Sequence, residues 1–206
     1  MNAKAVVTPV ILIFLSSVLF AGLATMNVAA QGDPLGQAVD NPNLPWATGG
    51  TITTYTYYGG QYSTQTSTTA GWYSESSAWL SGGSAAECHV YAYTQGLHTG
   101  VLNDKVYLKT VVNGPGTLSF WWKLNASTSA CNVSFCVDGN ALKVLSMNPT
   151  ASNPPSWTSV TVPIGPGQHT AAWEASAVPS AGHITSGYAN VDTVTWAKGS
   201  SLRLQQ

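Results

Sequence analysis

Charge is the scarcest property of this chain. Only 7% of its 206 residues are charged, seven basic and eight acidic, for a formal net charge of −1. No basic stripe exists to neutralise phosphates, which argues against nucleic acid as a partner. Solubility must rest instead on Ser, Thr, Asn, Gln and Tyr, a profile that suits an extracellular β-domain. Helical periodicity is also missing. Beyond residue 30 no stretch repeats apolar residues at a 3.6 spacing, and Gly and Pro recur every dozen or so residues. The chain has no Gly-rich phosphate loop, no His-x-His or His-Glu-x-x-His motif and no Gly-x-Ser-x-Gly elbow.

Cysteine is sparse and odd in number: Cys88, Cys131 and Cys136. The last two lie five residues apart on what reads as one strand, hence ~16 Å apart and on opposite faces. A disulfide needs Cα atoms within about 7 Å, so any bridge must include Cys88. The alternative is free or partly buried thiols. Metal-finger spacing is lacking. Cys88-His89 is no nucleophile pair, because neighbours on a strand point to opposite faces. A dyad would need His98, His169 or His183, and the last two read as surface or loop-packing residues.

What is present begins with an export signal. Met1-Asn2-Ala3-Lys4 is a short basic start, an apolar run follows that is densest over residues 10–24, and Val28-Ala29-Ala30 offers a cut ahead of Gln31. Residues 5–28 approach the ~20 apolar residues of a membrane span. Pro9, Ser16, Ser17, Gly22 and Thr25 weaken that alternative. The expectation is a signal peptide over 1–30, then one domain over 31–206 that is secreted and has no stable membrane insertion. No cysteine follows the apolar run, which excludes a bacterial lipid anchor.

The mature region reads as an all-β fold. Gly114-Pro115-Gly116 opens a segment in which Leu118, Phe120, Trp122 and Leu124 share one parity, while Thr117, Ser119, Trp121 and Lys123 share the other. That is a half-buried strand, and Val133, Phe135 and Val137 repeat the pattern. Strands are expected over 51–58, 106–112, 117–124, 132–137, 141–146, 158–164, 169–175 and 189–196. The predicted fold is a two-sheet antiparallel jelly-roll sandwich. Its core would centre on Leu118, Phe120, Trp122, Val133, Phe135, Val137, Val160, Val162, Val194 and Trp196. Gly114-Pro115-Gly116 and Gly165-Pro166-Gly167 read as hairpin or sheet-switch corners, and Asp138-Gly139-Asn140 as a hairpin turn. Residues 58–96 are rich in Ser, Thr, Gly, Tyr and Trp and read as a long polar insertion with one or two irregular strands.

Several pieces together resemble a known group. They are Leu35-Gly36-Gln37-Ala38-Val39-Asp40-Asn41 with Leu44-Pro45-Trp46, His98-Thr99-Gly100-Val101-Leu102-Asn103-Asp104 and the Gly114 to Lys123 strand. Val133-Ser134-Phe135-Cys136-Val137-Asp138-Gly139, Pro166-Gly167-Gln168-His169-Thr170 and Ala189-Asn190-Val191-Asp192-Thr193-Val194-Thr195-Trp196 complete the set. This resembles the MAM-like, concanavalin-like jelly-roll domains of bacterial secreted and surface proteins, over about residues 35–197. The resemblance implies a non-catalytic adhesion or binding module. It also implies that Asp40 and Asp192 hold a metal ion. The cysteines usual near those ends of MAM domains are missing here.

Asp192 stands out without the family. It shares parity with Tyr188, Val194 and Trp196, the bulky residues expected to face inward. A carboxylate there needs backbone donors, a Tyr or Trp donor, or a cation such as Ca²⁺. Trp121 has the outward parity and is a candidate sugar-stacking platform, with cover by a loop or the second sheet as the alternative. Trp72, Trp79, Tyr57 and Tyr58, with Tyr62, lie in or beside the polar region and are candidates to line a groove. The partner would be an extracellular glycan or a surface protein.

A second reading is a small secreted β-sandwich glycoside hydrolase, which needs two carboxyl groups ~5–9.5 Å apart. Three glutamates exist, Glu75, Glu87 and Glu174, and neither Glu174 nor Glu75 lies in a recognisable catalytic context. A third reading is a structural matrix or coat component that self-associates through its low-charge surface.

Overall fold

The alternation around Phe120 becomes the spine of the molecule. A computed structural model describes residues 33–58, 61–68, 71–95, 99–126, 131–146, 156–177 and 184–199, all within one compact unit, Gln31–Gln206. The expected signal peptide lies outside the described residues, as do His98 and His183. Among the described residues no helix is long and apolar enough to cross a membrane.

Among the described residues a short helix α1 (Pro34–Ala38) precedes nine strands: β1 (Trp46–Tyr58), β2 (Gln61–Thr68), β3 (Tyr73–Glu75), β4 (Ala85–Gln95), β5 (Thr99–Ala126), β6 (Cys131–Val137), β7 (Asn140–Ser146), β8 (Thr158–Ala177) and β9 (Ile184–Lys198). All pairings are antiparallel. The first half of β5 pairs with β1 and with the second half of β8, extending the order β2-β1-β5-β8-β6-β7. The second half of β5 pairs with β9 and with the first half of β8, giving β3-β4-β9-β5-β8. Two layers therefore share β5 and β8, which cross from one to the other, as strands do at the corners of a sandwich.

The crossing point is where the two Gly-Pro-Gly turns meet. The β5–β8 register slips between Gly114 and Gly116, Gly114 lies opposite Gly167, and Gly165 falls within the slip. A Cβ on Gly114 would run into the Gly165 carbonyl oxygen. These turns are thus sheet-switch corners, and the four strands expected at 106–112, 117–124, 158–164 and 169–175 are two continuous strands bent in the middle. Asp138 and Gly139 take φ of 50° and 80° and join β6 to β7 in a two-residue turn, the conformation that favours Asp-Gly.

Inside, the layers meet through aromatic rings. Phe120 lies 4.8 Å from Phe135 and 5.0 Å from Trp173, and Trp173 is also 5.1 Å from Phe135 and 5.7 Å from Trp46. Phe120 comes from the layer containing β9, whereas Phe135 and Trp173 come from the layer containing β6. Of the expected core, Leu118, Phe120, Trp122, Val133, Phe135, Val162 and Val194 are buried, and Val137, Val160 and Trp196 pack partly buried against it. The three cysteines are buried and form no disulfide among the described residues, and burial pushes the Cys131 thiol up to about 11.

Two features differ from expectation. Helix α1 is too short to show periodicity, yet Asp33 caps it by accepting the Leu35 N–H at 3.0 Å, with Pro34 at its first turn. The polar region 58–96 contains β2, β3 and β4. In β4 the inward residues Ala86, Cys88, Val90 and Ala92 alternate with Glu87, His89 and Tyr91, a pattern hidden by the small size of its apolar members.

Candidate functional site

The outer face of the layer β3-β4-β9-β5-β8 collects side chains that a soluble domain usually hides. On β5 the outward set is Trp121, Lys123 and Asn125. The register places Asp192, Asn190 and Tyr188 of β9 directly opposite them, then Glu87 and His89 of β4, then Tyr73 of β3. Trp121 is 36% exposed, Tyr188 44% and Trp79 49%, and Tyr73 and Leu80 are exposed beside them. Five of the seven exposed large hydrophobic residues described thus belong to this face or to the loop that crosses it; Leu142 and Val144, on β7, are the others. Single exposed apolar residues are ordinary, whereas a cluster on one face marks an interaction site.

At its centre is an open depression of about 350 Å³ lined by Ser77, Ala78, Glu87, Lys123, Asn125, Tyr188 and Asn190. Its polar groups are held in place. Glu87 accepts the Tyr73 hydroxyl at 2.6 Å and the Asn190 amide at 2.9 Å. Partial burial, this hydrogen bond and the carboxylate's charge push the Tyr73 phenol well above its ordinary value. Tyr188 stacks on His89 with ring centroids 4.6 Å apart and planes 15° off parallel. The Lys123 ammonium lies over the Trp157 ring at 4.9 Å.

The loop at residues 76–84 lies across this face, gripped by two carboxylates. Glu75, the last residue of β3, accepts the Ser77 N–H and hydroxyl and the Ala78 N–H, each at 2.6 Å. Burial pushes its carboxyl up, but these donors and the Lys123 charge outweigh that and hold it below the usual range. Asp192 accepts the Leu80 N–H at 2.7 Å and the Ser81 N–H at 3.1 Å on one oxygen. Its other oxygen takes the Thr193 N–H at 2.5 Å and the Thr193 hydroxyl at 3.2 Å.

Asp192 is fully buried, but not on the inner face where its parity put it. The β5–β9 register slips between Ser119 and Trp121, with Thr193 at φ 51°, so one extra residue on β9 reverses the alternation. Val194 therefore faces the core, whereas Asp192 and Tyr188 face out. The loop, not the second layer, covers Asp192.

Asp40 and Asp192 are brought together through shared hydroxyls. Ser81 donates to Asp40, Thr193 lies 3.5 Å from the same Asp40 oxygen, and the two hydroxyls are 3.0 Å apart. Among the described residues no group of three or more His, Cys, Asp or Glu could hold a metal. The oxygens of Asp40, Ser81 and Thr193 are hard donors of the kind calcium takes, though fewer than its six to eight ligands.

The remaining candidates scatter. Trp72 is 2% exposed and lies in the core, its backbone N–H donating to the Thr48 hydroxyl at 2.6 Å, so it lines no open groove. Tyr57 and Tyr58 end β1 in the other layer, and their side chains, like that of Tyr62, lie outside the described residues. Glu174 pairs with Tyr107 and Ser134 in the other layer, away from Glu75 and Glu87. Sequence reasoning missed Tyr73, Tyr188, Asn190 and Glu87, whose common face depended on the unseen β3 and β4.

No protein-family model matches the chain, and no curated protein matches it in sequence. Solved structures similar to it include the K1 cleaved adhesin domain of Lys-gingipain from Porphyromonas gingivalis W83, at 18% identity over 77% of this chain and 95% of that one, with a TM-score of 0.47. The K3 cleaved adhesin domain of the same protein is 17% identical over 57% and 75%, with a TM-score of 0.41. TmCBM61, solved in complex with β-1,4-galactotriose, is 11% identical over 75% and 89%, with a TM-score of 0.40.

Proposed function

We propose that this protein is a secreted, non-catalytic carbohydrate-binding or adhesion module that takes its ligand on the outer face carrying Trp121, Trp79 and Tyr188. The observation that supports this is the clustering of exposed aromatic rings around a depression lined by the amides of Asn125 and Asn190. Sugar rings present apolar C–H faces bordered by hydroxyls, which such a surface matches by stacking and by neutral hydrogen bonds. A surface protein bearing glycans would be engaged in the same way.

A structural calcium ion belongs to this reading, held by Asp40 and Asp192 with the hydroxyls of Ser81 and Thr193 that lie between them. It would tie the segment after α1 to the loop over the binding face. The test is a pull-down of the purified protein on insoluble neutral polysaccharides, run in calcium and in chelator, with the supernatant assayed for reducing sugar. Retention without sugar release is expected, and Trp121→Ala should weaken it. Release of sugar would transfer the case to a hydrolase, and no retention would sink the glycan reading. Retention equal in calcium and chelator would remove the ion and leave the glycan reading intact.

A further inference from the structure

The loop at residues 76–84 holds its backbone far more tightly than its exposed tryptophan requires. The N–H groups of Ser77 and Ala78, just before Trp79, all end on Glu75, and those of Leu80 and Ser81, just after it, end on Asp192. Both carboxylates stand on strands, one at the end of β3 and one in β9, so the loop inherits the rigidity of the sheet. The exit is fixed as well. Gly82 takes φ 70° and Gly83 φ 91°, and a Cβ on Gly82 would strike the Asp40 carboxylate. Between these brackets the Trp79 ring remains 49% exposed, next to Ser77 and Ala78 at the rim of the depression.

Side chains that face solvent without a task need no such scaffolding. A ring held ready to stack on a ligand does, because fixing it beforehand removes an ordering cost from binding. The charges on this face point to the class of ligand. Among the described residues lining the depression, Glu87 carries the negative charge and Lys123 the positive one, while Glu75 stands beside them with its oxygens taken by the loop and Asp192 is buried beneath it. An acidic sugar would therefore meet the Glu87 carboxylate and an ammonium whose charge already acts on Glu75, whereas a neutral sugar would find the amides of Asn125 and Asn190.

Resting on the carbohydrate-binding reading, we propose that Glu75 and Asp192 are positioning residues that pre-organise Trp79 as a stacking platform, and that the face selects neutral over acidic glycans. The carboxylates do not touch the ligand. They act through the loop backbone, which makes Asp192 a loop anchor in addition to any part in a cation site.

The experiment compares wild type, Trp79→Ala, Glu75→Gln, Asp192→Asn and a Glu174→Gln control by affinity electrophoresis in soluble xylan, galactan and polygalacturonate. Ligand-induced tryptophan fluorescence and acrylamide quenching are read in parallel. The wild type should bind a neutral polymer and not polygalacturonate. Trp79→Ala should weaken that binding about tenfold or more, as loss of a central aromatic anchor does. Glu75→Gln and Asp192→Asn should each weaken it about threefold to tenfold, raise acrylamide quenching of Trp79 and keep a cooperative melt, with Glu174→Gln unchanged. If Asp192→Asn does not fold, Glu75→Gln carries the comparison alone. Full binding by Trp79→Ala alongside loss in Trp121→Ala would overturn this inference while leaving the glycan reading standing. Unchanged binding and quenching in Glu75→Gln would overturn the positioning role, and preference for polygalacturonate would overturn the neutral class. Failure of the wild type on every polymer would sink the parent reading and this one with it.

Discussion

Phe120 is where the two layers meet most closely, packing against Phe135 and Trp173 at about van der Waals distance with 1% of its surface exposed. Removing its ring leaves a cavity bounded by two other rings that are themselves fixed on separate strands, so relaxation is limited. Phe120→Ala should cost about 3–5 kcal/mol. For a domain of 150–250 residues that corresponds to a melting temperature roughly 6–20 °C lower. Differential scanning calorimetry decides it, and a loss below about 1 kcal/mol would mean that the layers do not pack as described. Strand parity alone marked Phe120, Trp122 and Phe135 as core, because the alternation there is unbroken. The same rule misplaced Asp192, since Thr193 adds a residue that no period-two pattern can register. That a strand carboxylate needed donors was legible; that Leu80 and Ser81 supply them from 112 and 111 residues away was not.

The β6–β7 hairpin shows how one element is pinned to the frame. Asp138, in its turn, takes the Thr170 N–H at 2.9 Å and lies 2.7 Å from His169 Nδ1, while His169 Nε2 lies 3.2 Å from the Pro166 carbonyl. Both ring nitrogens face acceptors, so only the imidazolium satisfies both. The hydrogen bond between them is the main reason that the His169 pKa is raised and that of Asp138 lowered. A raised histidine contributes stability below its unfolded value, about 6.5, and loses it as pH rises through the folded value. A lowered carboxylate contributes above its unfolded value, about 3.9, and loses it as pH falls through the folded value. The latch therefore works between about pH 4 and 6.5. The melting-temperature gap between wild type and His169→Gln should be widest in that window and close above it, and a gap independent of pH would discard the latch. The turn itself was readable from Asp138-Gly139-Asn140. Its docking partner was not, because residue 169 is reached only once β8 has bent at its corner. Elements β2 to β4 were obscured by composition, since Ser, Thr and Ala give little hydrophobic contrast between faces.

On the scale of the whole molecule, scarcity of charge decides how the proposed glycan binding must behave. Fifteen charged side chains among 206 residues leave little long-range field, and Glu75, Glu87 and Asp192 on the aromatic face are engaged within the protein. Affinity built from ring stacking and amide hydrogen bonds does not depend on counterion release. Raising salt shortens the screening length from about 10 Å at 0.1 M to about 3 Å at 1 M. Here that should change the dissociation constant for a neutral polysaccharide less than about twofold, whereas each phosphate-like contact would steepen the dependence. Affinity measured across this range separates the two cases. A flat profile is what the depression between Trp79 and Tyr188 demands, and a steep one would locate the ligand on Lys123 and the other cations instead. The sandwich and its charge-poor surface were both evident in the sequence. The face that uses them emerges only when β3, β4 and β9 are laid beside β5, because its members come from four separate stretches of chain.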